Sequence, residues 1–283
     1  MLELLLSPRK AERRAWEMFF VGAFYAALSV LLVSWFFGKD VVMAKYLGVL
    51  IVTFTVMFSI PFVYFLFKME AKKELKYEGA FRILKEHQNG LKALMWLFLG
   101  FLVGYSIMYM ALPKQNFAAQ IETYCSINRP SNFEDCVTQY GVNLNKITGF
   151  AGSTDKFLGI FSNNIYVLIF TVVFSLIFGA GAIFILAWNA SVIAAAIGIY
   201  TKSQLNLLPL GLGRYMIHGI PEIAAYLFGA LAGGILSISL IRGEYKSSKF
   251  WDIMQDVINL LIIAVIILVL AGLLEVYVTP KLF

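Results

Sequence analysis

An all-α transmembrane helical bundle is the fold class this sequence predicts, and three observations predict it. Hydrophobic residues make up 60% of the 283-residue chain and charged residues only 14%, where a soluble domain would carry roughly 25% charged residues. Mean hydropathy is +0.78. Apolar runs of about 20 residues, long enough to cross a bilayer as helices, recur along the chain. A folded core of this size cannot hide so much apolar surface, so most of it must face lipid. The same composition excludes disordered, collagenous and disulfide-rich secreted classes.

Taken in order, Met1 to Glu17 holds Arg9, Lys10, Arg13 and Arg14, with Ser7 and Pro8 as a helix start and Trp16 near its end. It reads as an amphipathic helix lying in the interface plane. The apolar run that follows is too long for a signal peptide, and no small-residue cleavage site succeeds it, so it is expected to stay as the first span. Full spans are predicted over Met18 to Phe37, Ala44 to Phe67, Ala93 to Leu112, Ile165 to Trp188, Pro221 to Ile241 and Trp251 to Tyr277. Ala190 to Tyr200 is apolar but reaches only about half the hydrocarbon core at roughly 1.5 Å per residue. The expectation is therefore six full spans plus one short or re-entrant helix. The units are an interfacial helix over 1–17, three spans over 18–112 with a cytoplasmic helix at 68–91, an extracytoplasmic loop at 113–164, and a C-terminal membrane bundle at 165–283.

The net charge of +6 does not point to nucleic acid, because the cations cluster beside apolar runs, where insertion bias and anionic lipid account for them. Segment Lys68 to Lys92 holds seven Lys and Arg residues, the N-terminus four, and Arg242 to Lys249 three. Short cationic segments stay in the cytoplasm. The N-terminus is thus expected inside, Pro113 to Asn164 outside, and the C-terminus outside. Cys125 and Cys136, eleven positions apart in that outer loop, are expected to form a disulfide, which requires an oxidising compartment. The pairing and the outward placement of the loop stand or fall together.

Small residues recur at four-residue spacing: Gly100 and Gly104; Ala190, Ala194 and Gly198; Ala225, Gly229, Gly233 and Ser237. Such rows let helix backbones approach closely where no hydrophobic force drives association. The last row is the best candidate for a tight contact, either a homodimer seam or a contact inside one chain.

Ionisable groups at membrane depth are costly and mark candidate sites. His218 and Glu222 sit in Ile217-His218-Gly219-Ile220-Pro221-Glu222, where Pro221 suits a helix's first turn and Glu222 the positive end of its dipole. Depth arithmetic brings Glu275 near the end of the last span, and Asn163 and Asn164 at the start of the fourth, to the same level. Asn189 joins this polar cluster only if the short helix re-enters. Three readings stand: a structural knot satisfying irregular backbone; a metal or proton site in which His218, Glu222 and Glu275 hold a divalent ion such as zinc; or a substrate pathway at a discontinuous helix. The spacing is not the two-histidine helical pattern of metalloproteases. There is no glycine-rich phosphate loop, nucleophile elbow or cysteine-rich metal spacing.

At these residues the sequence resembles the stage II sporulation protein M family of integral membrane proteins. The resemblance runs through Phe161-Ser162-Asn163-Asn164-Ile165, Gly179-Ala180-Gly181, Trp188-Asn189-Ala190, His218-Gly219-Ile220-Pro221-Glu222-Ile223-Ala224-Ala225, Gly233-Gly234 and Leu274-Glu275-Val276-Tyr277-Val278-Thr279-Pro280. It covers roughly the C-terminal half. It implies a membrane scaffold without a hydrolase site of its own, since the family's namesake recruits and holds peptidoglycan-degrading enzymes at the septal membrane of spore formers. Ala190 departs from the Gly usual there, and the Cys-bearing loop is a local elaboration. Lys, Glu, Ile and Val usage fits an archaeal member, for which only the membrane domain would carry over. The expected protein is therefore a scaffold without a cofactor, bound to the lipid bilayer, homodimeric and serving an extracytoplasmic protein partner. The rival is an intramembrane metal-dependent enzyme or a small-molecule transporter working through His218, Glu222 and Glu275.

Overall fold

In a computed structural model the described residues are 14–70, 80–129, 132–140, 156–178, 182–247 and 249–282. Among them every regular element is helical. Residues 1–13 of the expected interfacial helix, residues 71–79 of the expected cytoplasmic helix and the Gly179-Ala180-Gly181 turn lie outside them.

Among the described residues, seven helices are long and apolar enough to cross a bilayer. They are α1 (Glu17–Phe37), α2 (Leu47–Glu70), α3 (Ala80–Ala111), α6 (Lys156–Phe178), α7 (Ala182–Tyr200), α8 (Leu208–Ile241) and α9 (Lys249–Leu273). The last continues through a π-helical turn, Leu274–Val278, into α10 (Thr279–Leu282). Between α3 and α6 lie two short helices, α4 (Ala118–Asn128) and α5 (Phe133–Gln139). The all-α membrane bundle is as the sequence predicts.

Two boundaries differ. The expected short helix is the second half of α7, a 19-residue helix that spans about 28 Å at 1.5 Å per residue. The fourth span closes at Phe178 rather than Trp188. Gly179, Ala180 and Gly181 lie between the two described helices, and no charged residue there divides the apolar run. The span expected over Pro221 to Ile241 begins instead at Leu208, and α8 runs through Pro221 without a break. Pro221 removes one backbone donor from the ladder, which a membrane helix tolerates when neighbouring groups re-satisfy the freed carbonyl. Pro209 takes the first-turn position instead, so Glu222 does not sit at a helix N-terminus.

The rows of small residues set the packing. A Cβ at Gly100 would strike the Phe19 carbonyl and come within 2.8 Å of the Ala23 amide, and one at Gly104 would lie 2.7 Å from the Ala23 carbonyl, so α1 and α3 touch backbone to backbone. Gly198 of α7 lies under the ring of Tyr109 of α3. Gly229 and Gly233 face α6, where a Cβ would meet Leu168 Cδ1 and the Val172 carbonyl, each at 2.5 Å. Ala225, Gly229, Gly233 and Ser237 are all buried. This row is therefore a seam within the chain rather than a face for a second copy.

The result is two helix groups joined through α7. The first is α1, α2 and α3, stitched by the Tyr105 hydroxyl donating to Thr55 Oγ1 at 2.6 Å. The second is α6, α8 and α9. Over one end lies the α4–α5 cap. Cys125 and Cys136 are disulfide-bonded, with Cα atoms 5.8 Å apart. The buried Gln120 amide donates to the Gly48 carbonyl of α2 at 2.9 Å and to Ser191 Oγ of α7 at 3.2 Å. The cap is thereby tied to the first group and to the helix that joins the two.

Candidate functional site: a polar node in the bundle

Helical geometry places residues four apart on one face, and α8 carries Arg214, His218, Glu222 and Tyr226 at that spacing. The stripe extends about 18 Å along the helix. Below Tyr226 the same face turns into the small-residue seam with α6. The opposing polar groups come from two helices, Asn163 and Asn164 from α6, Glu275 and Thr279 from the end of α9 and the start of α10.

Asn164 is 6% exposed and joins the two halves of its contact. Its Nδ2 donates to Glu222 Oε1 at 2.7 Å, and its Oδ1 accepts from the Tyr226 hydroxyl at 3.0 Å. With donors and acceptors both used, a carboxyl group and a phenol share one amide in a low-dielectric setting, where such bonds are strong when made and costly when broken. Asn163 is exposed, and its amide reaches Asn164 Oδ1 only at 3.5 Å. Across the site, His218 Nδ1 lies 3.2 Å from Thr279 Oγ1, whose hydroxyl also reaches the Leu274 carbonyl at 3.1 Å. That carbonyl belongs to the π-helical turn, a local widening common at functional positions. Glu275, in the same turn, lies within electrostatic reach of Glu222.

The structure thus brings His218, Glu222, Glu275 and Asn164 together at one level, with Asn163 at the rim. Asn189 does not join them: it sits mid-helix in α7 and donates to the Ile185 carbonyl of its own helix at 2.8 Å. Among the described residues, no group of three His, Cys, Asp or Glu side chains is arranged to hold a metal ion. Tyr226, Thr279, Arg214 and Tyr215 are participants that sequence reasoning missed. The signal was legible, because Arg214 and Tyr226 extend the four-residue spacing of His218 and Glu222, and Thr279 follows Glu275 by four.

From the node a chain of contacts leads to the cap. The Tyr215 ring meets His218 edge-on at 6.2 Å and Tyr200 at 6.4 Å. Arg214 stacks over the Tyr200 ring at 4.8 Å, an attraction of cation and π-face. The Tyr215 hydroxyl lies within electrostatic reach of Tyr124 of α4 and of Arg214. Tyr124 in turn packs edge-on against Tyr140 beyond α5, 6.4 Å away. Burial pushes the Tyr124 hydroxyl and the Glu122 carboxyl of the cap above their ordinary values. Beside them, Lys114 sits 4.0 Å over the Tyr109 ring, donates to the Tyr109 carbonyl at 3.0 Å and bonds Ser203; burial lowers its ammonium below the usual range.

A family model described as stage II sporulation protein M matches residues 89–280. The chain belongs to the stage II sporulation protein M family. The match runs from within α3 to the start of α10, wider than the C-terminal half that the sequence blocks marked out, while α1 and α2 precede it. It contains the node, the cap and the disulfide. An uncharacterized protein of Methanocaldococcus jannaschii is 33% identical over 132 residues, which cover 44% of this chain and 72% of that protein. No solved structure matches.

Proposed function

We propose that this family member is a multi-pass membrane scaffold that presents the α4–α5 cap to an extracytoplasmic protein partner, with its N-terminal side in the cytoplasm. The observation that carries the reading is the coupling of cap to bundle. The disulfide, the Gln120 bonds to α2 and α7 and the approach of Tyr124 to Tyr215 of α8 hold the cap in one place. Pre-organised surfaces bind with less ordering cost. The node supports the same reading. Glu222, Asn164 and Tyr226 bond one another, and His218 meets Thr279, so these groups hold three helices in register. The membership in the sporulation family supplies the precedent for placement rather than chemistry.

Photocrosslinking in cells tests this. Glu134 and Thr138 are exposed on α5, and a photoreactive amino acid at either should give a discrete protein adduct. Tyr166, 65% exposed on the flank of α6, should give only lipid adducts. Cap positions that yield no protein adduct, or the same adducts as position 166, would overturn the scaffold reading.

A further inference from the structure

The two helix groups do not close on each other everywhere. Between α3 and α8 lies a crevice of about 350 Å³ walled by Leu91 and Met95 of α3 and by Ala224, Leu227 and Phe228 of α8. Ala224 and Phe228 lie on the face of α8 opposite the His218, Glu222 and Tyr226 stripe, because two residues turn the helix by about 200°, and Leu227 stands between the two faces. The crevice is therefore separate from the polar node. Its walls are apolar. At one end stand Gln88 and Lys92, the Lys92 ammonium donating to Gln88 Oε1 at 3.4 Å and otherwise exposed. The apolar run of α3 begins at Gln88, so this cation lies where the span meets the polar interface. The sequence around it is strongly basic, with Lys68, Lys72, Lys73, Lys76, Arg82 and Lys85 preceding Lys92.

An apolar slot with a cation at one end has the complement of an amphiphile with an anionic head. We propose that the crevice binds an anionic phospholipid, with an acyl chain between α3 and α8 and the phosphate at Lys92. The hydrocarbon fills space that the side chains leave open, and the ammonium holds the head at the interface, where a basic residue attracts anionic lipid. A lipid so placed wedges the joint between the α1–α3 group and the α6, α8 and α9 group.

The full chain, purified in detergent, is offered phosphatidylglycerol or phosphatidylcholine of identical acyl chains and examined by native mass spectrometry. The wild type should retain phosphatidylglycerol in preference. Lys92→Gln should weaken that retention about fivefold, the effect of one surface cation on an anionic lipid, and leave phosphatidylcholine unchanged. Ala224→Phe fills the slot and should displace both lipids. Thermal unfolding of each variant checks that it folds, and Lys92→Gln, at an exposed position, tests the proposal even where the larger substitution disturbs packing. Equal retention of the two headgroups by the wild type, or phosphatidylglycerol retention unchanged in Lys92→Gln, would overturn it.

Discussion

At the scale of single residues, Asn164 carries the node. Its amide is the only group placed to serve Glu222 and Tyr226 together in the hydrogen bonds described. Asn164→Ala leaves a carboxyl and a phenol short of partners, and breaking such a buried bond costs about 1–3 kcal/mol. Tyr226→Phe removes one bond and leaves the Asn164 to Glu222 bond intact, for about 1 kcal/mol. Thermal unfolding in detergent should therefore rank Asn164→Ala below Tyr226→Phe and both below the parent; an Asn164→Ala variant as stable as the parent would remove the node's structural role. Asp40, in the turn between α1 and α2, gives a contrasting case at the surface. Its Oδ1 accepts from the backbone N–H groups of Val42 at 2.8 Å and Met43 at 2.7 Å, which holds the carboxyl below its ordinary 3.8. A depressed carboxylate stabilises the fold above its unfolded-state value, and the contribution fades as pH falls through the folded-state one. Asp40→Ala should lower the unfolding temperature at neutral pH, and the gap to the parent should close in acid.

At the scale of elements, the α6–α8 seam is the contact on which the second helix group depends. Gly233 packs against the Val172 carbonyl and Ser175 Cβ, with the latter 2.8 Å from any added Cβ. Backbone cannot yield as a flexible side chain can, so Gly233→Leu should cost at least about 1–3 kcal/mol and loosen Asn164 from Glu222 as α6 moves out. A monomer-sized species in detergent that is merely less stable would fit a seam within the chain. Parent stability with loss of a dimer would place the row at an interface between copies instead. The element scale also shows what the sequence could reveal. Spacing by four exposed the small-residue rows and most of the α8 stripe, because helix geometry is local. The division of α6 from α7 and the start of α8 were hidden, because no charged residue marks the apolar run between Phe178 and Ala182 and Pro221 interrupts a pattern without interrupting the helix. Whether Asn189 reaches the node hung on that hidden boundary, since a residue near the middle of a continuous α7 bonds within its own helix.

At the scale of the whole molecule, parity decides orientation. Seven crossings, which the lengths and composition of the described helices allow, would put residue 14 and residue 282 on opposite sides and the α4–α5 cap, reached after three of them, on the side of residue 282. Basic segments at Lys68 to Lys92 and Arg242 to Lys249 would then share the other side, the arrangement expected when positive charge is retained in the cytoplasm. The disulfide is consistent with this, since such bonds persist where thiols are oxidised. It also gives the prediction its second handle. Closing a loop of eleven residues is worth about 3 kcal/mol in the chain-entropy account, so the Cys125→Ser, Cys136→Ser double variant should unfold at lower temperature than the oxidised parent and match the reduced one. A periplasmic-type phosphatase reporter fused after residue 282 should be active, and one fused at 246 inactive. The reverse activities would turn the whole chain over, place the cap in the reducing compartment and remove the basis for an extracytoplasmic partner.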